Sequence, residues 1–147
     1  IVVSQPGAKE FYKKIGSPAW YLARVDSTGK EHWAMLQKAI RLGVNIALGT
    51  DQFPFEPNDG TTATVAEAEL YVKAGMTPLQ ALRSGTTETA RMLKIDDMTG
   101  RIKPGLAADI IAVNANPVEN ISALRTIDFV MKDGRIYRDD KTGLIAQ

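Results

Sequence analysis

At 147 residues, 44% of them hydrophobic and 24% charged, the chain has the make-up of a globular protein long enough to bury a core. Its 18 basic and 17 acidic residues leave a net charge of +1, so charge gives no reason to expect nucleic acid or an anionic membrane as partner. Cysteine is absent, which excludes disulfides, thiolate metal sites and cysteine nucleophiles. No apolar run approaches the roughly 18 residues of a membrane span.

The chain opens on "IVVS", a short apolar stretch that reads as the end of a buried strand. It lacks an initiator Met and a signal-peptide pattern. The expectation is therefore a fragment, with any targeting segment lost and a cytoplasmic location favoured. A loop-rich region follows, punctuated by Gly7, Gly16, Pro18 and Gly29, with a short helix around Ala8–Lys14. "STGKEHWAMLQKAIRLG" carries helix signals: Trp33, Leu36, Ala39 and Ile40 fall at helical spacing, and Gly43 suits a C-cap. "VNIALG" then reads as a parallel strand over residues 44–48, covered on both faces.

A polar loop leads into "TTATVAEAELYVKAG", an Ala- and Glu-rich helix that stops at Gly75. "MTPLQALRSGT" opens another, with Thr77 as N-cap and Pro78 in the first turn. "TTETARMLKI" is a third short helix, capped by Thr86 or Thr87. Near residue 96 the character changes. One strong strand is expected at residues 110–113. A hairpin is expected between residues 129–132 and 135–138, across Asp133-Gly134, the dipeptide preferred in type I′ turns. The division expected from this is residues 1–95, strand–helix in character, and residues 96–147, antiparallel β.

The stretch that raises a chemical question is "NIALGTDQFPFEPNDG", residues 45–60. A carboxylate at the carboxyl end of a buried strand, as Asp51 would be, can bind a divalent metal or act as general base. It can equally cap its loop or pair with a buried cation. His32, the single histidine, falls on a predicted helix and reads as a surface or packing residue. Alone it cannot make a multi-histidine site. With no Gly-x-Ser-x-Gly elbow in the chain, a serine triad is rejected. Phe53 and Phe55 suit a pocket lining or a loop anchor. Glu56, Asp59, Glu67 and Glu69 form an acidic cluster that reads as solvated, Glu67 and Glu69 lying two apart on a helix and facing different ways.

"GVNIALGTD", "ELYVKAGMTPLQALRSGTTETARMLKI", "GRIKPGLAADIIAVNANPVENISALR" and "FVMKDGRIYR", in this order, resemble the C-terminal third of the metal-dependent amidohydrolase superfamily, nearest its imidazolonepropionase-like and Xaa-Pro dipeptidase-like branch. The resemblance implies an α/β fold: the C-terminal part of a (β/α)8 TIM barrel, about strands seven and eight with their helices, over residues 1–95. Residues 96–147 would supply strands of a small β-sandwich domain. It implies that Asp51 matches the strand-eight aspartate, which contacts the metal and shuttles the proton of the metal-activated water to the leaving group. The implied cofactor is a divalent metal, zinc favoured. The family's His-x-His pair, further histidines and carboxylated lysine have no counterpart in this chain. The expected whole is a hydrolase of amide or peptide-like C–N bonds acting on a small molecule or dipeptide, and the expected fragment is inactive alone. It would need a complementary N-terminal polypeptide or self-association. The alternatives are a cyclic amidohydrolase of dihydroorotase or hydantoinase type, and a non-catalytic scaffold piece.

Overall fold

The computed structural model describes residues 8–50 and 63–145. The chain divides into two compact units, one of residues 1–44 and 49–76, the other of residues 45–48 and 77–147.

In the first unit, helix α1 (Ala8–Lys14) is followed by α2 (Ala19–Arg41). The glycine and proline punctuation pointed to loop over residues 15–31, and here the structure differs. Pro18, in extended conformation, is the N-cap of a single 23-residue helix that runs straight through Ser27, Thr28 and Gly29. An interior glycine costs a helix about 1 kcal/mol, which the other turns of a 23-residue helix can absorb. Contacts with α1 favour the same outcome. Tyr12 meets Tyr21 edge-to-face at 5.1 Å, and Lys9 pairs with Asp26. Gly43 follows the helix with φ +69, and the amide of Val44 returns to the carbonyl of Ala39, closing the last turn as a left-handed C-terminal residue does. Of α2, only Val25 is fully buried, and Trp20 is 67% exposed.

Helix α3 (Ala63–Ala74) ends at Gly75, φ +122. Ala63, Glu67, Tyr71 and Ala74, spaced one helical turn apart, are buried, together with Val65 and Ala68. Glu67 is only 3% exposed. The solvated reading of this acid is thus overturned: the carboxylate stands in the buried stripe.

In the second unit, α4 (Pro78–Ser84) starts with the expected capping box. The Thr77 hydroxyl accepts from the Gln80 amide at 3.2 Å, and the Gln80 side chain accepts from the Thr77 amide at 2.8 Å. Such a cap contributes about 1 kcal/mol. Helix α5 (Thr87–Met92) has Thr86 at its N-cap position, but the Thr86 hydroxyl turns back to the carbonyl of Leu82 at 2.9 Å and caps nothing.

The β region agrees closely with expectation. Strands β1 (Ile110–Val113), β2 (Ile127–Lys132), β3 (Arg135–Asp139) and β4 (Leu144–Ile145) form one antiparallel sheet in the order β1-β2-β3-β4. Asp133 (φ +49) and Gly134 (φ +76) make the β2–β3 turn, both in the left-handed region that a type I′ turn requires. A 3-10 helix at Ile121–Arg125, its N-terminus capped by Asn120, links β1 to β2 and buries Ile121 and Ala123.

Residues 44–50 form no strand. A parallel strand exists only as part of a ladder, and the described residues offer no neighbour for one. Within this run the Leu48 amide donates to the Ser84 carbonyl, at the end of α4 and not on a strand. The expected strand at "IVVS" lies outside the described residues.

Candidate functional site

Asp51 lies outside the described residues, as do Phe53, Phe55, Glu56 and Asp59. What the structure does describe is the backbone that leads to Asp51 and the side chains that hold it. In the first unit the Gly49 amide donates to the phenol oxygen of Tyr71, while the Tyr71 hydroxyl donates to the carboxylate of Glu67. Glu67 and Tyr71 are four apart on α3, the spacing that stacks side chains on one helix face. Tyr71 is 6% exposed. Burial, and after it the neighbouring Glu67 charge, push its phenol up to about 12, so it stays a neutral donor at ordinary pH. Sequence reasoning missed this pair. The available signal was a Glu–Tyr couple at i, i+4 in a helix whose other facing positions are alanine.

In the second unit the Ser84 carbonyl collects two donors, the Leu48 amide at 2.8 Å and the Thr89 hydroxyl. The Ser84 hydroxyl is itself buried and bonds back to Ala81 at 2.7 Å. Leu48 also packs beside Gly85, where a Cβ would lie 3.5 Å from its side chain, an ordinary contact.

His32 packs in α2 as a half-buried residue, with Nδ1 buried and lacking a hydrogen-bond partner among the described residues. That fits the packing role expected of it. Among the described residues, no group of three or more His, Asp or Glu is placed to hold a metal ion. The described residues therefore do not form a metal centre on their own.

The "PGLAAD" motif proves structural. Asp109, its last residue, accepts two bonds from Lys132 Nζ at 2.9 and 2.8 Å, one from the Asp133 amide at 2.9 Å and one from the Thr99 hydroxyl at 3.3 Å. The Gly134 amide donates to the Ala108 carbonyl at 3.1 Å. Residues 108–109 thus clasp the hairpin turn from the head of β1. The Lys132 ammonium, ahead of the Asp133 amide, holds the Asp109 carboxyl below the usual carboxylate range. A polar depression lined by Thr87, Arg91, Asp96, Thr99 and Arg101 is cross-linked internally, Arg101 to the Asp96 carbonyl at 2.9 Å and Arg91 to Glu88 at 2.7 Å.

The family model described as "Amidohydrolase family" matches residues 13–137. The chain belongs to the amidohydrolase family. Among curated amidohydrolase relatives, the ochratoxinase of Aspergillus niger is 32% identical over 126 residues, covering 82% of this chain and 25% of the relative. The imidazolonepropionase of Cutibacterium acnes is 32% identical over 138 residues, covering 90% of this chain and 34% of the relative. Among solved structures, a Xaa-Pro dipeptidase with bound methionine in its active site is 36% identical with a TM-score of 0.79, covering 93% of this chain and 33% of that one. The chain therefore spans about a quarter to a third of the length of these relatives. Its mixture of helix and antiparallel strand is an amidohydrolase fold in part. No helix among the described residues is long and apolar enough to cross a membrane.

Proposed function

We propose that the protein to which this chain belongs is a metal-dependent hydrolase of amide or peptide-like C–N bonds, with acyl-proline dipeptides as the first substrates to try. The observation that carries this reading is the family match across residues 13–137 together with the 36% identity to a Xaa-Pro dipeptidase. In this reading Asp51 is the carboxylate that touches the metal and takes up the proton of the attacking water. A divalent metal, zinc favoured, supplies the Lewis acidity that makes water a nucleophile near neutral pH. Its other ligands come from outside this chain, because one carboxylate cannot hold a metal in fixed geometry. Residues 1–95 are assigned to the barrel and residues 96–147 to the sandwich strands. The relative named imidazolonepropionase supports a second reading, a hydrolase of a cyclic C–N compound.

The chain alone is proposed to be inactive and to associate with a complementary N-terminal polypeptide. Leu42, 70% exposed, and the exposed Trp20, Met35 and Val44 of the first unit support a surface that another chain covers. Light scattering on the purified chain separates this from a lone monomer near 16 kDa.

The functional test is hydrolysis by the intact protein, supplied with zinc, of acyl-proline dipeptides against cyclic imides. The expected result is zinc-dependent turnover that Asp51→Asn abolishes, and background only from the 147-residue chain. Full turnover in Asp51→Asn refutes the role of Asp51. Robust turnover by the chain alone refutes the fragment reading.

A further inference from the structure

The β2–β3 turn is built on a reactive dipeptide. In Asp-Gly the glycine nitrogen can attack the aspartate side chain, because the glycine carries no Cβ to obstruct it. The chemistry balances with water alone. The Gly134 nitrogen bonds to Cγ of Asp133 and loses its proton to solvent, while a carboxyl oxygen leaves as water, and a five-membered succinimide closes. Water then reopens the ring. Addition at Cγ restores aspartate. Addition at the main-chain carbonyl breaks that carbon's bond to the Gly134 nitrogen and leaves isoaspartate, the chain now running through the side chain.

Exposure favours this reaction at Asp133. Its side chain is 71% exposed and meets Lys132 Nζ at 3.6 Å. The fold opposes it in two ways. Asp133 has φ +49, in the left-handed region where ψ is about +47. The Gly134 nitrogen then stands nearly opposite Cβ across the Cα–C bond, whereas ring closure needs both on the same side. Cyclisation therefore requires the turn to rotate out of this conformation, and residues 108–109 resist that rotation. Asp109 accepts from the Asp133 amide at 2.9 Å, and the Ala108 carbonyl accepts from the Gly134 amide at 3.1 Å. The peptide groups on both sides of Asp133 are thus pinned from the head of β1. The second bond also engages the very proton that the attacking nitrogen must lose.

We propose that Asp133-Gly134 is a latent isoaspartate site, kept unreactive by the clasp of residues 108–109. Opening of the turn exposes it, and conversion prevents return. Isoaspartate adds one atom to the main chain between β2 and β3, so Lys132 no longer lies in register with Arg135 and the two amides no longer meet their acceptors. The modification is in this sense a record of turn opening.

The test holds the intact protein folded at physiological temperature and mildly acidic pH. A protease that cuts before aspartate but not before isoaspartate then leaves residues 128–138, "DFVMKDGRIYR", whole only where Asp133 has converted. Mass spectrometry counts the uncut peptide, and enzymatic methylation confirms isoaspartate. The same segment as a free peptide is the unclasped reference. Folded wild type should convert about a hundredfold more slowly than the peptide. Asp109→Ala removes the carboxylate from the turn and should convert about tenfold faster than wild type. Gly100→Ala, which crowds Ala90 and leaves the turn alone, controls for general destabilisation and should stay within about twofold of wild type. Folded wild type converting as fast as the peptide overturns the proposal. Wild-type conversion in folded Asp109→Ala, or equal acceleration in Gly100→Ala, overturns the role of the clasp. Circular dichroism checks that each variant is folded. Where Asp109→Ala is not, Asp109→Asn, which keeps the shape and loses the charge that holds Lys132, takes its place, and wild-type conversion there overturns the clasp equally.

Discussion

Gly100 is the position where a single methyl group should do the most damage for its size. It lies in "MTGRI", with φ +94, where an L side chain is strained. A Cβ built there would stand 2.6 Å from the Ala90 Cβ on α5 and 3.2 Å from the Thr86 carbonyl oxygen. Ala90 is 3% exposed, so its methyl group has nowhere to retreat without moving the helix. Two terms combine in Gly100→Ala. The left-handed backbone costs about 1–2 kcal/mol for a residue with a Cβ. Forcing a methyl into packed space costs about 1–3 kcal/mol more. The expected loss is about 2–5 kcal/mol, a large part of the roughly 5–15 kcal/mol that holds a typical domain folded. For a chain of this size that corresponds to a fall in Tm of about 5–15 °C. Gly105→Ala is the matched control: φ +88, but no heavy atom within 4 Å of the new Cβ. It should lose only the backbone part, about 1–2 kcal/mol. Calorimetry or far-ultraviolet circular dichroism on the two variants reads both. Equal melting temperatures for the two variants would refute the packing part of the argument. A Gly100→Ala melting temperature within 1–2 °C of wild type would refute all of it.

Two further outcomes follow from the β region. Gly134→Val should destabilise the β2–β3 hairpin by about 1–2 kcal/mol or more, since a β-branched residue is forced to φ +76; unaltered amide exchange across β2 and β3 would count against the type I′ turn. Asp109→Asn should change how stability responds to acid. The folded-state carboxyl is depressed, first by Lys132 and then by the Asp133 amide. Its contribution is therefore present above the unfolded value near pH 4 and lost as pH falls through the lower folded value. Replacing it should lower Tm at pH 7 and flatten the decline below about pH 4; parallel Tm-against-pH curves for variant and wild type would refute the clasp.

Local chemistry was enough to place most of the elements. The cap at Thr77, the proline after it, the stop at Gly75 and the Asp133-Gly134 turn act over a few residues, so neighbours in sequence decide them. The resemblance in the order of these signals was enough to point to the family that residues 13–137 match. Local punctuation misled where a long element overrode it. Gly29 is a breaker by composition, but within 23 helical residues packed on α1 its cost is small against the whole. The apolar run at residues 44–48 has strand composition, and composition is not a ladder. A strand forms only where another strand pairs with it, and among the described residues none pairs with this run. The Glu67–Tyr71 clasp depended entirely on tertiary structure. In sequence, Glu67 is one acid in an Ala/Glu-rich helix and reads as solvated. Only the packing of α3 shows that it points inward, because which side of a helix is buried depends on what lies against it. Likewise "PGLAAD" is a string of small residues until folding brings the turn at residues 133–134 onto its aspartate, twenty-four positions away in the chain.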